Sequence, residues 1–163
     1  MARAWWALWL VSLCACEEWR EPDRTKPLPF KGHGFRAQLR MDVSTNKLEP
    51  APGVTLYDFH VGSMPLFIAY VGDQPGFPHF AFTPEHETDK PLASGLRAHC
   101  RGAQQAKGAA RECLITLSDH SPKQLHVWYE DLAPRWAEVA DRIIASVQPG
   151  KLNATPAHQA LAP

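Results

Sequence analysis

Residues 35–43, FRAQLRMDV, alternate without a break. Phe35, Ala37, Leu39, Met41 and Val43 fall on one face, and Arg36, Gln38, Arg40 and Asp42 on the other. A period of two with polar residues between predicts a half-buried antiparallel strand. Beyond it, residues 50–53 turn the chain, 54–61 read as the next strand and 61–63 turn it again. LFIAYV, residues 66–71, is apolar on both faces, so it predicts a central strand covered on both sides. GDQPG at 72–76 then forms a loop, because Gly and Pro supply its turn dihedrals. Residues 77–83 read as a short edge strand, since Pro78 cannot complete a ladder. From 84 to 105 the pattern fades. Residues 113–118 and 124–130 read as paired strands around the loop 119–123. Residues 131–147 are the clearest helix: Leu132, Trp136, Val139, Ile143 and Val147 recur at three and four. Asp131 is placed to cap it, Pro134 falls in its first turn, and Pro149-Gly150 stops it. That apolar stripe needs a sheet face to cover. The expected fold class is therefore α+β, a twisted antiparallel sheet of about five or six strands with one long C-terminal helix packed across it.

The N-terminus has a different logic. Arg3 is followed by an apolar run from Ala4 to Leu13, interrupted only by Ser12. A bilayer-spanning helix needs roughly 20 apolar residues, about twice this run. A positive start, a short apolar run and small residues at its end describe a secretory signal. Leu13-Cys14-Ala15-Cys16 resembles the lipobox of bacterial lipoprotein precursors, with Cys16 as the lipid acceptor. Cys14 is the poorer acceptor because Leu13 would sit directly before the cut. The resemblance covers residues 1–16 alone. It implies that 1–15 are removed as a signal peptide and that Cys16 carries a thioether-linked diacylglycerol, usually with a third acyl chain on its amine. Two or three chains make a stable anchor where one is marginal. The implied address is the bacterial periplasm. Glu17, in place of the aspartate associated with inner-membrane retention, points to the outer membrane.

Residues 16–34 read as a flexible tether, with Pro22, Pro27 and Pro29 against any helix, and 149–163 as a loose Ala/Pro-rich tail. A single domain over 35–148 lies between them. Lys+Arg and Asp+Glu balance at 17 each. No clustered basic surface suited to nucleic acid emerges; Arg97, Arg101, Lys107 and Arg111, interrupted by Glu112, read as a solvated face more than as an anion site. Of the four cysteines, Cys14 leaves with the signal and Cys16 takes lipid. Cys100 and Cys113 are left to pair, in a compartment where disulfides persist. Two free thiols or a metal pair are the alternatives.

Candidate chemistry is sparse. PEHETD, residues 84–89, sets carboxylates around a histidine, and His79 and His99 flank it. A zincin needs His-Glu-x-x-His, and Lys90 stands where the second histidine belongs. A metal site drawn from His79, His86 and Asp89 is the weaker reading beside a charged, exposed loop. Ser63, in Val-Gly-Ser-Met-Pro, lacks the nucleophile elbow. His99 and Cys100 are adjacent in a strand and so point to opposite faces. No residue pattern calls for a cofactor. Loops on a rigid sheet concentrate binding residues, and aromatics anchor interfaces, which marks Phe77, Phe80 and Trp128 as candidate protein contacts. Trp128 and Tyr129 should point to opposite faces, one of them towards the helix.

The reading is a non-catalytic, lipid-anchored periplasmic protein that binds another envelope or periplasmic protein. It would act as an accessory factor of an envelope complex or as an inhibitor (immunity factor) of a periplasmic toxin. Its rivals are a small hydrolase or metal-binding protein using His86, Glu87 and Asp89, and an apolar small-molecule carrier with Trp136 and Ile143 lining a cavity between helix and sheet.

Overall fold

A computed structural model describes residues 26–79 and 82–150. The strands are β1 (Pro27–Lys31), β2 (Phe35–Arg40), β3 (Val43–Ala51), β4 (Val54–Val61), β5 (Met64–Gly72), β6 (His86–Pro91), β7 (Arg97–Gln104), β8 (Ala109–Thr116), β9 (Gln124–Leu132) and β10 (Gln148–Pro149). The helix α1 (Pro134–Ala145) lies between β9 and β10. They form two antiparallel sheets, ordered β1-β2-β10 and β3-β4-β5-β9-β8-β7-β6.

This overturns the expected single sheet of five or six strands. The alternation at 35–43 spans two strands, not one. Its chain turns at Met41 and Asp42, where Asp42 takes both Nε and Nη2 of Arg40. Phe35, Ala37 and Leu39 then face the core from the small sheet, while Val43 opens the edge strand of the large one. The small sheet also begins inside the stretch expected to be tether. β1 survives its prolines because it is an edge: Leu28 and Phe30 take the inward register opposite Leu39 and Ala37, and Pro27 and Pro29 face outward with Arg40 and Gln38.

Two further expectations change. Residues 84–105, where the pattern fades, hold β6 and β7. Residues 73–79 and 82–85 carry no strand. The helix is shorter than 131–147: β9 runs to Leu132, Asp131 sits at φ 52, and Ala133 occupies the cap position without a side-chain bond. Its C-terminus is closed by the Ser146 N–H, which donates to the Arg142 and Ile143 carbonyls at 3.1 Å each.

The core lies where α1 and β2 press on one face of the large sheet. Phe59 and Phe67 stack there at 4.3 Å, and Phe30, Phe35 and Tyr57 gather around them. Val71, Leu125, Ile115 and Cys113 are fully buried along the same face. Cys100 and Cys113, directly opposed in β7 and β8, are joined by a disulfide. Residues 1–15, Cys16 and the rest of the tether up to 25, and 151–163 of the tail lie outside the described residues.

Candidate functional site

The seven-stranded sheet has a second face, turned away from α1. The register sets Leu48, Leu56, Tyr70, His126, Leu114, His99 and Asp89 in one row across it, with Ile68, Trp128, Glu112 and Arg101 in the neighbouring row. β5 and β6 are joined by the loop 73–85, yet β9, β8 and β7 lie between them in the sheet. The described residues of that loop lie over the second face of those three strands, with Phe77 against His99 and His126, His79 against Glu112 and Phe82 against Arg101.

Glu112 is the fixed point beneath it. Its carboxylate is fully buried, and the His126 imidazole is 2 % exposed. Glu112 Oε1 accepts from His126 Nε2 at 2.8 Å and from the backbone N–H of His79 in the loop. Arg101 Nε stands 3.8 Å from Glu112 Oε2, while its Nη2 donates to the Phe82 carbonyl at 2.6 Å and its guanidinium lies over the Phe82 ring. The His79 ring packs on Trp128 at 4.9 Å, and Phe77 meets His99 and His126 edge-on. Burial holds the His126 imidazole below its ordinary value, with His79 pushing the same way and Glu112 opposing both. A carboxylate orienting an imidazole is half of a nucleophile-activating arrangement. Here both groups are sealed from water, and among the described residues no hydroxyl or thiol bonds to His126. Their work is to hold the loop to the sheet.

A second polar cluster sits on the core side, under α1. Tyr129 donates to Asp141 Oδ1 at 2.9 Å, and Arg111 Nη1 lies 3.1 Å from Asp141 Oδ2. Burial raises the Asp141 carboxyl above its usual range, against the pull of Arg111 and Tyr129. Burial and the neighbouring carboxylate raise the Tyr129 phenol too, so it stays a donor. Trp128 and Tyr129 thus point to opposite faces, Tyr129 towards the helix.

Of the expected contact residues, Phe77 and Trp128 meet around His126, 5.6 and 4.8 Å from its ring. Phe80 lies outside the described residues. The PEHETD histidine and carboxylates separate. His86 faces the core side and lines a cleft of about 240 Å³ with Glu85, Arg111, Tyr129, Glu138 and Asp141. Glu87 and Asp89 face the second side, paired with His99 at 3.0 Å and Arg97 at 3.6 Å. His79, His86 and Asp89 do not converge; among the described residues no three metal-ligating side chains do. The basic run is dispersed as well, each cation beside its own carboxylate: Arg97 with Asp89, Arg101 with Glu112, Lys107 with Asp131, and Arg111 with Asp141.

The loop covers the β9-β8-β7 part of the second face and leaves the β3-β4-β5 part open. Leu48 there is 59 % exposed, and Leu56, Ile68 and Tyr70 are each half-buried; Trp128 of β9, half-buried beside His79, marks the border with the covered part. Beside Trp128 lies a shallow pocket of about 260 Å³ lined by Pro65, Ile68, His79 and Glu130 among others. Gly72 lets Tyr70 lie flat along this surface, since a Cβ there would meet the Tyr70 ring at 2.8 Å.

Glu112 and His126 were not legible as a site. The only signal was an acid just before the apolar Cys113-Leu114-Ile115 and a histidine inside Leu125-His126-Val127. Both are polar residues in strands that otherwise read as core. No protein-family model matches the chain, and no curated protein matches it in sequence.

Proposed function

We propose that this chain is a lipid-anchored periplasmic protein, without catalytic machinery of its own, that binds another envelope or periplasmic protein through the open part of its large sheet. The observation that carries this reading is the uncovered β3-β4-β5 surface. A face bearing Leu48, Leu56, Ile68 and Tyr70, with Trp128 of β9 at its border, has the apolar and aromatic make-up of a contact surface. The loop bonded to Glu112 forms its border and packs His79 on Trp128, so that edge is ordered before a partner arrives. Rigid surfaces lose less ordering entropy on binding. The Cys100–Cys113 disulfide suits an oxidising compartment, and the lipobox resemblance at Cys16 supplies the anchor. A hydrolase built on His86, Glu87 and Asp89 is disfavoured because those side chains occupy two faces of β6.

Affinity capture from detergent-solubilised envelopes, with the full-length protein and with Ile68→Glu, tests this reading. The wild type should retain a discrete partner that the variant loses while keeping its disulfide and unfolding midpoint. Identical retention by both proteins, or none by either, would reject the open face as the site. Intact mass of the purified wild type and of Cys16→Ser reads the anchor separately.

A further inference from the structure

The seam between the small sheet and the helix holds a pocket of about 250 Å³. Its floor is Leu39, Val139 and Ile143, and its rim carries Pro27, Arg40 and Arg142. We propose that it binds a single-chain anionic amphiphile, a fatty-acid-like carboxylate, with the chain on that floor and the head on Arg142.

The floor residues belong to the core and show only their outer edges, so the site is built into the packing of β2 against α1. The volume lies below the ~300–1,000 Å³ of drug-sized sites, which fits one short chain and not a two-chain lipid. The rim decides the charge. Arg142 is exposed and donates Nε to the Glu138 carbonyl; among the described residues no carboxylate pairs with it. Arg40 is held by Asp42 and lies over the Trp136 ring, so its position is fixed but its charge is already answered. The acids of the helix, Glu138 and Asp141, line the cleft on its other flank. An anionic head therefore meets one unanswered cation at an apolar mouth. Charge-assisted bonds of guanidinium to carboxylate are the strong ones. Pro27, at the rim, follows Cys16 by eleven residues, a reach of at most about 40 Å, so the mouth lies within reach of the expected membrane surface. The site stands on its own lining and does not depend on the protein contact proposed above.

The test titrates the full-length protein with decanoate and with decanol below their aggregation limits, read by calorimetry. Decanoate should bind saturably at one site. Arg142→Gln should weaken it about tenfold and leave the weaker decanol binding unchanged. Gln38→Trp, which fills the mouth from an exposed position of β2, should abolish both with the unfolding midpoint retained. Equal decanoate affinity in Arg142→Gln, undiminished binding in Gln38→Trp, or no saturable binding in the wild type would each overturn the proposal. So would adsorption to anionic vesicles with no response to decanoate, since that would place the charge effect on the surface and not in the pocket.

Discussion

Replacing Glu112 by alanine removes the acceptor of both the His126 ring and the His79 N–H, and the counter-charge beside Arg101. All of this happens at a fully buried position, next to an Arg101 side chain only 13 % exposed. Breaking a buried pair from one side costs ~3–5 kcal/mol, because the remaining groups lose their partner without regaining water. Arg101 keeps its bond to the Phe82 carbonyl, which places the expected loss at the lower end, about 3 kcal/mol. At roughly 4 °C per kcal/mol for a domain of this size, the unfolding midpoint should fall by about 12 °C. Glu112→Gln keeps an oxygen for His126 and the loop and should lose about half as much. Arg97→Ala breaks an exposed pair at the other end of the same face and should change stability by no more than ~0.5 kcal/mol. Urea unfolding followed by tryptophan fluorescence measures all three on one scale, with an unchanged slope showing that midpoint shifts are stability shifts. A Glu112→Ala variant within about 1 kcal/mol of wild type would refute the view that this carboxylate holds the loop to the sheet.

Burial keeps the folded His126 below its ordinary 6.5, so the unfolded chain takes up the proton first as pH falls. Stability is then complete above that value and declines as pH drops below it; His126→Asn should flatten the decline in urea midpoints between pH 8 and 5. Reducing the Cys100–Cys113 bridge, whose sequence separation is 13, should cost ~3 kcal/mol on the chain-entropy estimate, read as the midpoint difference with and without reductant. An alanine at Gly108 would put its Cβ 2.6 Å from the Asp131 carbonyl carbon and the Leu132 oxygen. Backbone on that side cannot yield cheaply, so Gly108→Ala should cost ~1–3 kcal/mol.

The strands that fill the core were the legible ones. β4, β5, β8 and β9 carry Val, Leu, Ile or aromatic residues at the period the sheet requires, and Tyr129 and Trp128 divide between its faces as that period demands. β6 was invisible because HETDKP, on an outer edge, is exposed throughout. β7 was nearly so, since the side it turns to the core is Ala98, Cys100 and Gly102, small residues that leave no hydrophobic period. The division into two sheets was hidden by Met41, whose place in the alternation continues a strand that the Arg40–Asp42 turn ends. The buried Glu112–His126 pair depends on a loop arriving from 33 residues away, between His79 and Glu112. No local pattern records such a meeting.

Photo-reactive residues at Leu56 and Ile68, with Lys31 on the small sheet as the control, would test the protein-binding role most directly in intact envelopes. Adducts of one size from both open-face positions, and none from Lys31, are the expected result. No adduct from either open-face position, or the same adducts from Lys31, would contradict a partner docked on the β3-β4-β5 surface.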